Sequence, residues 1–155
     1  MSRRFDAIIV GAGQAGPSLA DRLTAAGMQV ALVERHLFGG TCVNTGCMPT
    51  KTLVANARVA RQVQRAGDYG IQIDGAVRID FDQVMARARQ VAETARGNIE
   101  RWLGGMPNLT VLRGHARFES ADSLRVGEET ISAPRIFLNV GGRALAPPMP
   151  GLDRV

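Results

Sequence analysis

The feature that most narrows the possible folds is the hexapeptide Gly11-Ala-Gly-Gln-Ala-Gly16, because of what stands on either side of it. Phe5 to Val10 reads as a short buried strand, and Gln14 to Ala26 keeps helical spacing until Gly27 stops it. Gln29 to Val33 then reads as a second buried strand. Short apolar strands, bounded by glycine and joined through a helix, suit a parallel sheet covered on both faces. The start of the chain therefore predicts an α/β fold on a doubly wound parallel sheet.

The rest of the chain extends this pattern. Pro49 to Ala66 carries Leu53, Val54, Ala57, Ala60 and Val63 at helical spacing, and Gly67 closes the segment. Asp82 opens another helix, predicted to reach Leu103 despite Gly97, and residues 68 to 80 between the two helices read as loop. After Gly104-Gly105 the period changes to two. Leu109 to Arg113, Ala116 to Glu119, Ser123 to Val126 and Thr130 to Ser132 read as short strands with turn signals between them, the first a single strand after the helix and the other three a small antiparallel β-meander. Arg135 to Val140 is a last apolar strand, running into Gly141-Gly142.

Composition sets outer limits. With 155 residues, 45% of them hydrophobic and 21% charged, the chain can bury the core of one domain. Its apolar runs fall far short of the roughly 18 residues of a membrane-spanning helix. Asp6 follows Arg3 and Arg4 at once, so no secretory apolar region can be drawn, and a cytoplasmic location is expected. The net charge of +5 comes from arginines and a single lysine, Lys51. The arginines recur singly, without interleaved aromatics or a block of like charge, so neither nucleic acid nor membrane is expected as a partner.

The glycine turn has a mechanism. Gly11 permits the tight turn, Gly13 lets the backbone approach a pyrophosphate, and Gly16 lets helix and strand pack closely, while the helix N-terminus offers free N–H groups to phosphate. Glu34, ending the second strand, can accept hydrogen bonds from ribose hydroxyls. The combination predicts a dinucleotide-binding, Rossmann-like domain, and does not by itself separate FAD from NAD.

Gly39-Gly-Thr-Cys-Val-Asn-Thr-Gly-Cys-Met-Pro-Thr-Lys51 holds both cysteines, Cys42 and Cys47. In a regular helix their Cα atoms would be about 8 to 9 Å apart, beyond the roughly 7 Å that a disulfide allows. A bridge would need an irregular turn between them, for which Gly46 supplies backbone freedom. Pro49 suits the first turn of the helix that follows, so Cys47 falls near a helix N-terminus, where partial positive charge favours a thiolate. A redox-active pair is the leading reading. Zinc is the rival, but only His36 and His115 remain to complete a site, and neither has ligand spacing to the cysteines.

The segment from Gly39 to Lys51 closely resembles the active-site signature of the class I pyridine nucleotide-disulfide oxidoreductases, and Thr45 with Met48-Pro49-Thr50 looks most like the mercuric-reductase-like branch. The resemblance covers the family's amino-terminal FAD domain, and implies that residues 1–155 are such a domain. It implies that Cys42 is the interchange thiol that meets substrate, that Cys47 lies under the flavin, and that Lys51 stands near the flavin N5 edge. It further implies an FAD pyrophosphate turn at Gly11, Gly13 and Gly16, a ribose ligand at Glu34, and cofactor-lining residues at Gly40 and Thr41. Gly114 and Ala116 match the segment that meets adenine, and Gly141 the glycine that closes over the cofactor. Many members have Ala-Thr-Gly where this chain has Asn139-Val-Gly141, so no threonine hydroxyl is available there.

The resemblance also implies what is absent. In the family an NAD(P)H domain and an interface domain follow, the latter bringing a histidine–glutamate pair to the partner's disulfide in a homodimer. No second glycine turn follows Gly141 and no histidine follows His115. The sequence thus predicts the FAD-binding, redox-disulfide fragment of an oxidoreductase that acts on a disulfide or thiol-reactive small molecule. The alternative is a truncated nucleotide-binding module without turnover of its own.

Overall fold

The computed structural model describes residues 2–154. Among these, the elements run β1 (Ser2–Arg4), β2 (Ala7–Val10), α1 (Ala15–Ala25), β3 (Val30–Glu34), α2 (Gly40–Asn44), α3 (Cys47–Gln64), α4 (Phe81–Gly104), β4 (Leu109–Arg113), β5 (Ala116–Phe118), β6 (Ser123–Val126), β7 (Glu129–Ser132) and β8 (Ile136–Leu138). Short 3₁₀ turns lie at Ala66–Tyr69 and Leu152–Arg154.

Strands β2, β3, β4 and β8 form a wholly parallel sheet in the order β4-β3-β2-β8. A second sheet, β1-β7-β6-β5, contains the antiparallel meander. Because successive strand residues face opposite sides, the neighbours Ile8 and Ile9 enter different cores. Ile8, Ala31 and Val33 pack against Leu124, Val126 and Ile131 of the second sheet. Ile9, Val30 and Leu32 pack beneath Ala20 of α1, Leu103 of α4 and Phe38. The result is three layers, helices over parallel sheet over meander, in the α/β class that the sequence predicts.

Several local features differ from the sequence reading, among them the last strand, expected over Arg135 to Val140 and confined to Ile136–Leu138. The strand expected over Phe5 to Val10 is confined to Ala7–Val10, and a separate strand, β1, runs parallel to β7 with Arg3 beside Ile131. Phe5 and Asp6 cross between the two sheets, the N–H of Phe5 donating to Ser132 and that of Asp6 to Gln29. The N-cap of α4 is Asp80, whose carboxylate accepts from the Gln83 N–H at 3.0 Å, while Asp82 stands in the first turn. Helix α3 begins at Cys47 rather than Pro49, and α2 was not expected at all.

In the parallel sheet the chain proceeds outward from β2 to β3 and β4, then returns to the far side of β2 as β8. The strand order therefore reverses between β2 and β8. The C-terminal ends of strands at such a reversal leave a crevice that ligands use.

Candidate functional site

A cavity of about 840 Å³ opens over those strand ends, walled by Val10, Gly11 and Gly13 after β2 and by Glu34, Arg35 and His36 after β3. Gly114, His115 and Ala116 contribute from the β4–β5 junction, and Asn139 to Arg143 from beyond β8. Gly39 to Cys42, with Asn44 and Thr45, form the remaining side.

Local hydrogen bonds fix these walls to one another. Gly11 has φ +107°, and a Cβ on it would overlap the Asn139 carbonyl oxygen; a Cβ on Gly16 would overlap the Gly11 carbonyl oxygen. Any larger residue at either position must push strand, turn and helix apart. The N–H of Ala12 donates to Glu34 Oε2 at 2.8 Å, and the N–H of His36 donates to Glu34 Oε1 at 2.7 Å. Glu34 thus orders the two turns beside it, and each oxygen keeps a second lone pair for a ligand hydroxyl. The N–H of Gly39 donates to Ala12, and the Gln14 side-chain amide donates to the Gly39 carbonyl at 3.2 Å. Gly114 donates to the main chain of Glu34 at 3.0 Å.

Asn139 closes the crevice between β2 and β8. Its N–H donates to Val10 at 2.8 Å and its side-chain amide to the Gly11 carbonyl at 3.4 Å. The departure from Ala-Thr-Gly places an amide against the glycine turn, while Val140 stays 67% exposed at the rim. Helix α1 has neither a side-chain cap nor an acid in its first turn, so its positive end is not neutralised from within the helix.

The cysteines flank a helix break. Helix α2 ends at Asn44, the N–H groups of Thr45 and Gly46 both donate to the Thr41 carbonyl, and α3 starts at Cys47. This is an irregular turn of the kind that a bridge between the two cysteines would need. Both cysteines are free thiols, Cys42 half-buried and Cys47 exposed. The Cys42 thiol is pushed above its ordinary range by its hydrogen bond to Cys47, by desolvation and by charge repulsion from Cys47; a backbone contact and the charge of Lys51 pull the other way.

The cavity gathers Gly11, Gly13, Glu34, Gly40, Thr41, Cys42, Gly114, Ala116 and Gly141 from across the chain. Gly16 lies below it as a packing contact, and Cys47 and Lys51, on α3, are outside its walls. His36 and His115, weighed from the sequence only as metal ligands, both line the cavity, as do Arg35 and Arg143.

Asn44 is a further missed residue. Its side-chain amide donates to the carbonyls of Phe38 and Gly40, both at 2.9 Å, and its Oδ1 accepts from Arg96 of α4 at 3.2 Å.

The chain belongs to the pyridine nucleotide-disulphide oxidoreductases: the family matches residues 5–155. Its relatives are class I members, matched only in their amino-terminal parts. A probable pyridine nucleotide-disulfide oxidoreductase of Escherichia coli, RclA, is 36% identical over 96% of this chain and 31% of its own length. The dihydrolipoyl dehydrogenase of Acholeplasma laidlawii is 32% identical over 98% of this chain and 45% of its own, and the mercuric reductase of Acidithiobacillus ferrooxidans 33% identical over 93% and 27%. The solved structure of the HOCl-induced flavoprotein disulfide reductase RclA from E. coli superposes with a TM-score of 0.77 at 37% identity, covering 96% of this chain and 31% of that one. The chain spans less than half the length of these relatives.

Proposed function

We propose that residues 1–155 form the FAD-binding, redox-disulfide part of an NAD(P)H-dependent flavoprotein disulfide reductase. The observation that carries this reading is one cavity edged by both a dinucleotide turn and Cys42. The walls fit the cofactor. Gly11 and Gly13 leave a backbone cradle free of side chains, Glu34 offers carboxylate lone pairs at the ribose position, and Arg35 and Arg143 add positive charge for phosphate.

FAD would supply the two-electron reduction that the chain's own side chains cannot perform. The protein's contribution is position. The α1 N-terminus and Gly13 would hold the pyrophosphate, Glu34 would hold the ribose, and the Gly114–Ala116 backbone would border adenine. Reduction breaks a Cys42–Cys47 disulfide with two electrons and up to two protons, leaving the two sulfurs as thiol or thiolate. Cys42 then attacks a substrate disulfide, forming a mixed disulfide and releasing one substrate thiol; Cys47 attacks Cys42, restores the internal disulfide and releases the second. Lys51 supplies a nearby cation. The NAD(P)H site, the acid–base group and the homodimer of the full-length enzyme belong to the family expectation, as does a disulfide or thiol-reactive small molecule as substrate.

The test is reconstitution. Purified protein mixed with FAD should stay yellow after gel filtration, and two-electron reduction should give a long-wavelength absorbance band that Cys47→Ser abolishes. Loss of all flavin on the column would end the cofactor claim. Flavin retained with no band, and no electron transfer to the cysteines, would favour the second reading, a nucleotide-binding module without turnover, which rests on the chain's partial cover of its relatives.

A further inference from the structure

The glycine turn and the cysteine turn meet backbone to backbone. Gly39 donates its N–H to the Ala12 carbonyl at 2.7 Å, and its own carbonyl accepts from Gln14 Nε2 at 3.2 Å. One residue on, a Cβ added to Gly40 would stand 3.0 Å from Gly13 Cα, so these two glycines are in close contact. A Cβ added to Gly39 would overlap the side chain of Val43, which is buried. Gly39 is thus clasped to residues 12–14 on one side and packed on the other against α2, the element that carries Cys42.

Gln14 is the member of this clasp that its own helix does not explain. It stands at the N-cap of α1, yet its side chain makes no cap bond there and reaches instead a carbonyl 25 positions along the chain. That bond fixes the plane of the Gly39–Gly40 peptide, whose N–H belongs to the first residue of α2. The plane turns through ψ of Gly39 and φ of Gly40. With φ of +90° and +59° both residues use backbone freedom that only glycine has, so the peptide between them flips at little intrinsic cost. A glutamine amide also has two N–H groups. Gly39 takes one, and Gln14 lines the same cavity as Gly13 and Cys42, which leaves the other for a phosphate oxygen held at the glycine turn.

We propose that Gln14 is a positioning residue that couples occupancy of the glycine turn by a diphosphate to the reactivity of Cys42, by fixing the Gly39–Gly40 peptide. The inference rests on the reading of that turn as a dinucleotide site. With the clasp closed, α2 is held and Cys42 stays half-buried. With it open, the peptide flips, α2 loosens and Cys42 meets reagents more often. A phosphate that takes the second N–H steadies the Gln14 side chain, closes the clasp and slows Cys42.

The probe is ADP, which carries the pyrophosphate and ribose without flavin, and the protein is the 155-residue chain with Cys47→Ser as background. The readout is the rate at which the Cys42 thiolate attacks dithiodipyridine, a neutral disulfide, forming a mixed disulfide and releasing one thiopyridone, followed by absorbance. Calorimetry sets ADP at saturation for each variant. ADP should slow Cys42 about fivefold in the background. Gln14→Met should speed Cys42 about fivefold without ADP, and saturating ADP should then slow it by no more than about twofold. The charge of ADP acts on the thiolate in every variant alike, so the difference between variants reports the clasp. Gln14→Glu gives a readout that mere loosening would not. Its carboxyl donates to the Gly39 carbonyl only when protonated, so its rate relative to the background at the same pH should be near parity at about pH 4 and approach that of Gln14→Met above about pH 6. Circular dichroism verifies that both variants fold. An ADP effect as large in Gln14→Met as in the background, a Gln14→Met rate equal to the background, or a relative rate of Gln14→Glu that does not change with pH would each overturn the proposal while leaving nucleotide binding intact. Absence of any heat of ADP binding would overturn the dinucleotide reading itself, and the proposal with it.

Discussion

At the Cys42 sulfur, neighbours act in opposite directions. Its hydrogen bond to Cys47 stabilises the protonated form, desolvation and Cys47 repulsion add to that, and Lys51 opposes them. The thiolate is the nucleophile, so a raised thiol keeps Cys42 protonated, and slow to react, to higher pH than a free cysteine. Removing the raising group must lower the pH at which Cys42 becomes reactive, and removing the lysine must raise it. Cys47→Ala should therefore shift the pH midpoint of Cys42 alkylation by iodoacetamide downward, and Lys51→Met should shift it upward, as followed by mass spectrometry. Shifts in the same direction would mean that Lys51 and Cys47 do not act on Cys42 as the geometry implies.

Among the elements, α2 has the least support of its own. Five residues beginning with glycine are too few to hold a helix in isolation. Val43 is buried, Phe38 beside the turn is buried in the helix-side core, and Asn44 ties the turn to itself and to α4. Asn44→Ala removes three side-chain hydrogen bonds, those to the Phe38 and Gly40 carbonyls and that from Arg96. It should destabilise the protein by about 2 to 3 kcal/mol, seen as a lower urea midpoint, with Arg96→Gln costing less. An unchanged midpoint would mean that packing of Phe38 and Val43 alone holds the cysteine turn. This element also marks where the sequence stops being readable. Strands β2 and β3 and helix α1 were legible because their apolar period and glycine stops are local. Helix α2 has too few residues to display a period, and the partner of Asn44 on α4 is 52 positions away. Strand β1 is three residues, Ser-Arg-Arg, with no apolar signal, and exists because β7 offers an edge at the other end of the chain. Asp80 and Asp82 are equally good cap residues on paper, and only the backbone geometry chooses Asp80. The cavity residues Gly11, Gly13, Gly40, Thr41 and Cys42 were legible through the glycine and cysteine motifs. His36, His115 and Arg143 were not, because a side chain at a strand end carries no pattern until the strands are laid side by side.

For the whole molecule, both cores rest on one sheet, since alternate residues of β2 and β3 supply both sides. Loosening the meander exposes Ile8 and Val33, and loosening the helices exposes Ile9 and Leu32, so the layers should unfold in one transition. The cavity takes a wall from the end of each of β2, β3, β4 and β8. A ligand that fills it spans the sheet and must stabilise all three layers together. At a concentration about 100 times its Kd, FAD should contribute about 2.7 kcal/mol. For a domain of this size, that raises Tm by roughly 5 to 10 °C in a single shifted transition. Glu34→Ala tests whether the stabilisation runs through the proposed ribose contact. It removes the acceptor for the Ala12 and His36 amides, so the flavin-free protein should already melt lower, and it removes the ribose contact, so the additional rise with FAD should shrink as well. A full FAD shift in Glu34→Ala would place the stabilising contact elsewhere in the cavity. A shift of only one of two separate transitions would show that the meander and the helical layer do not share their stability through the parallel sheet.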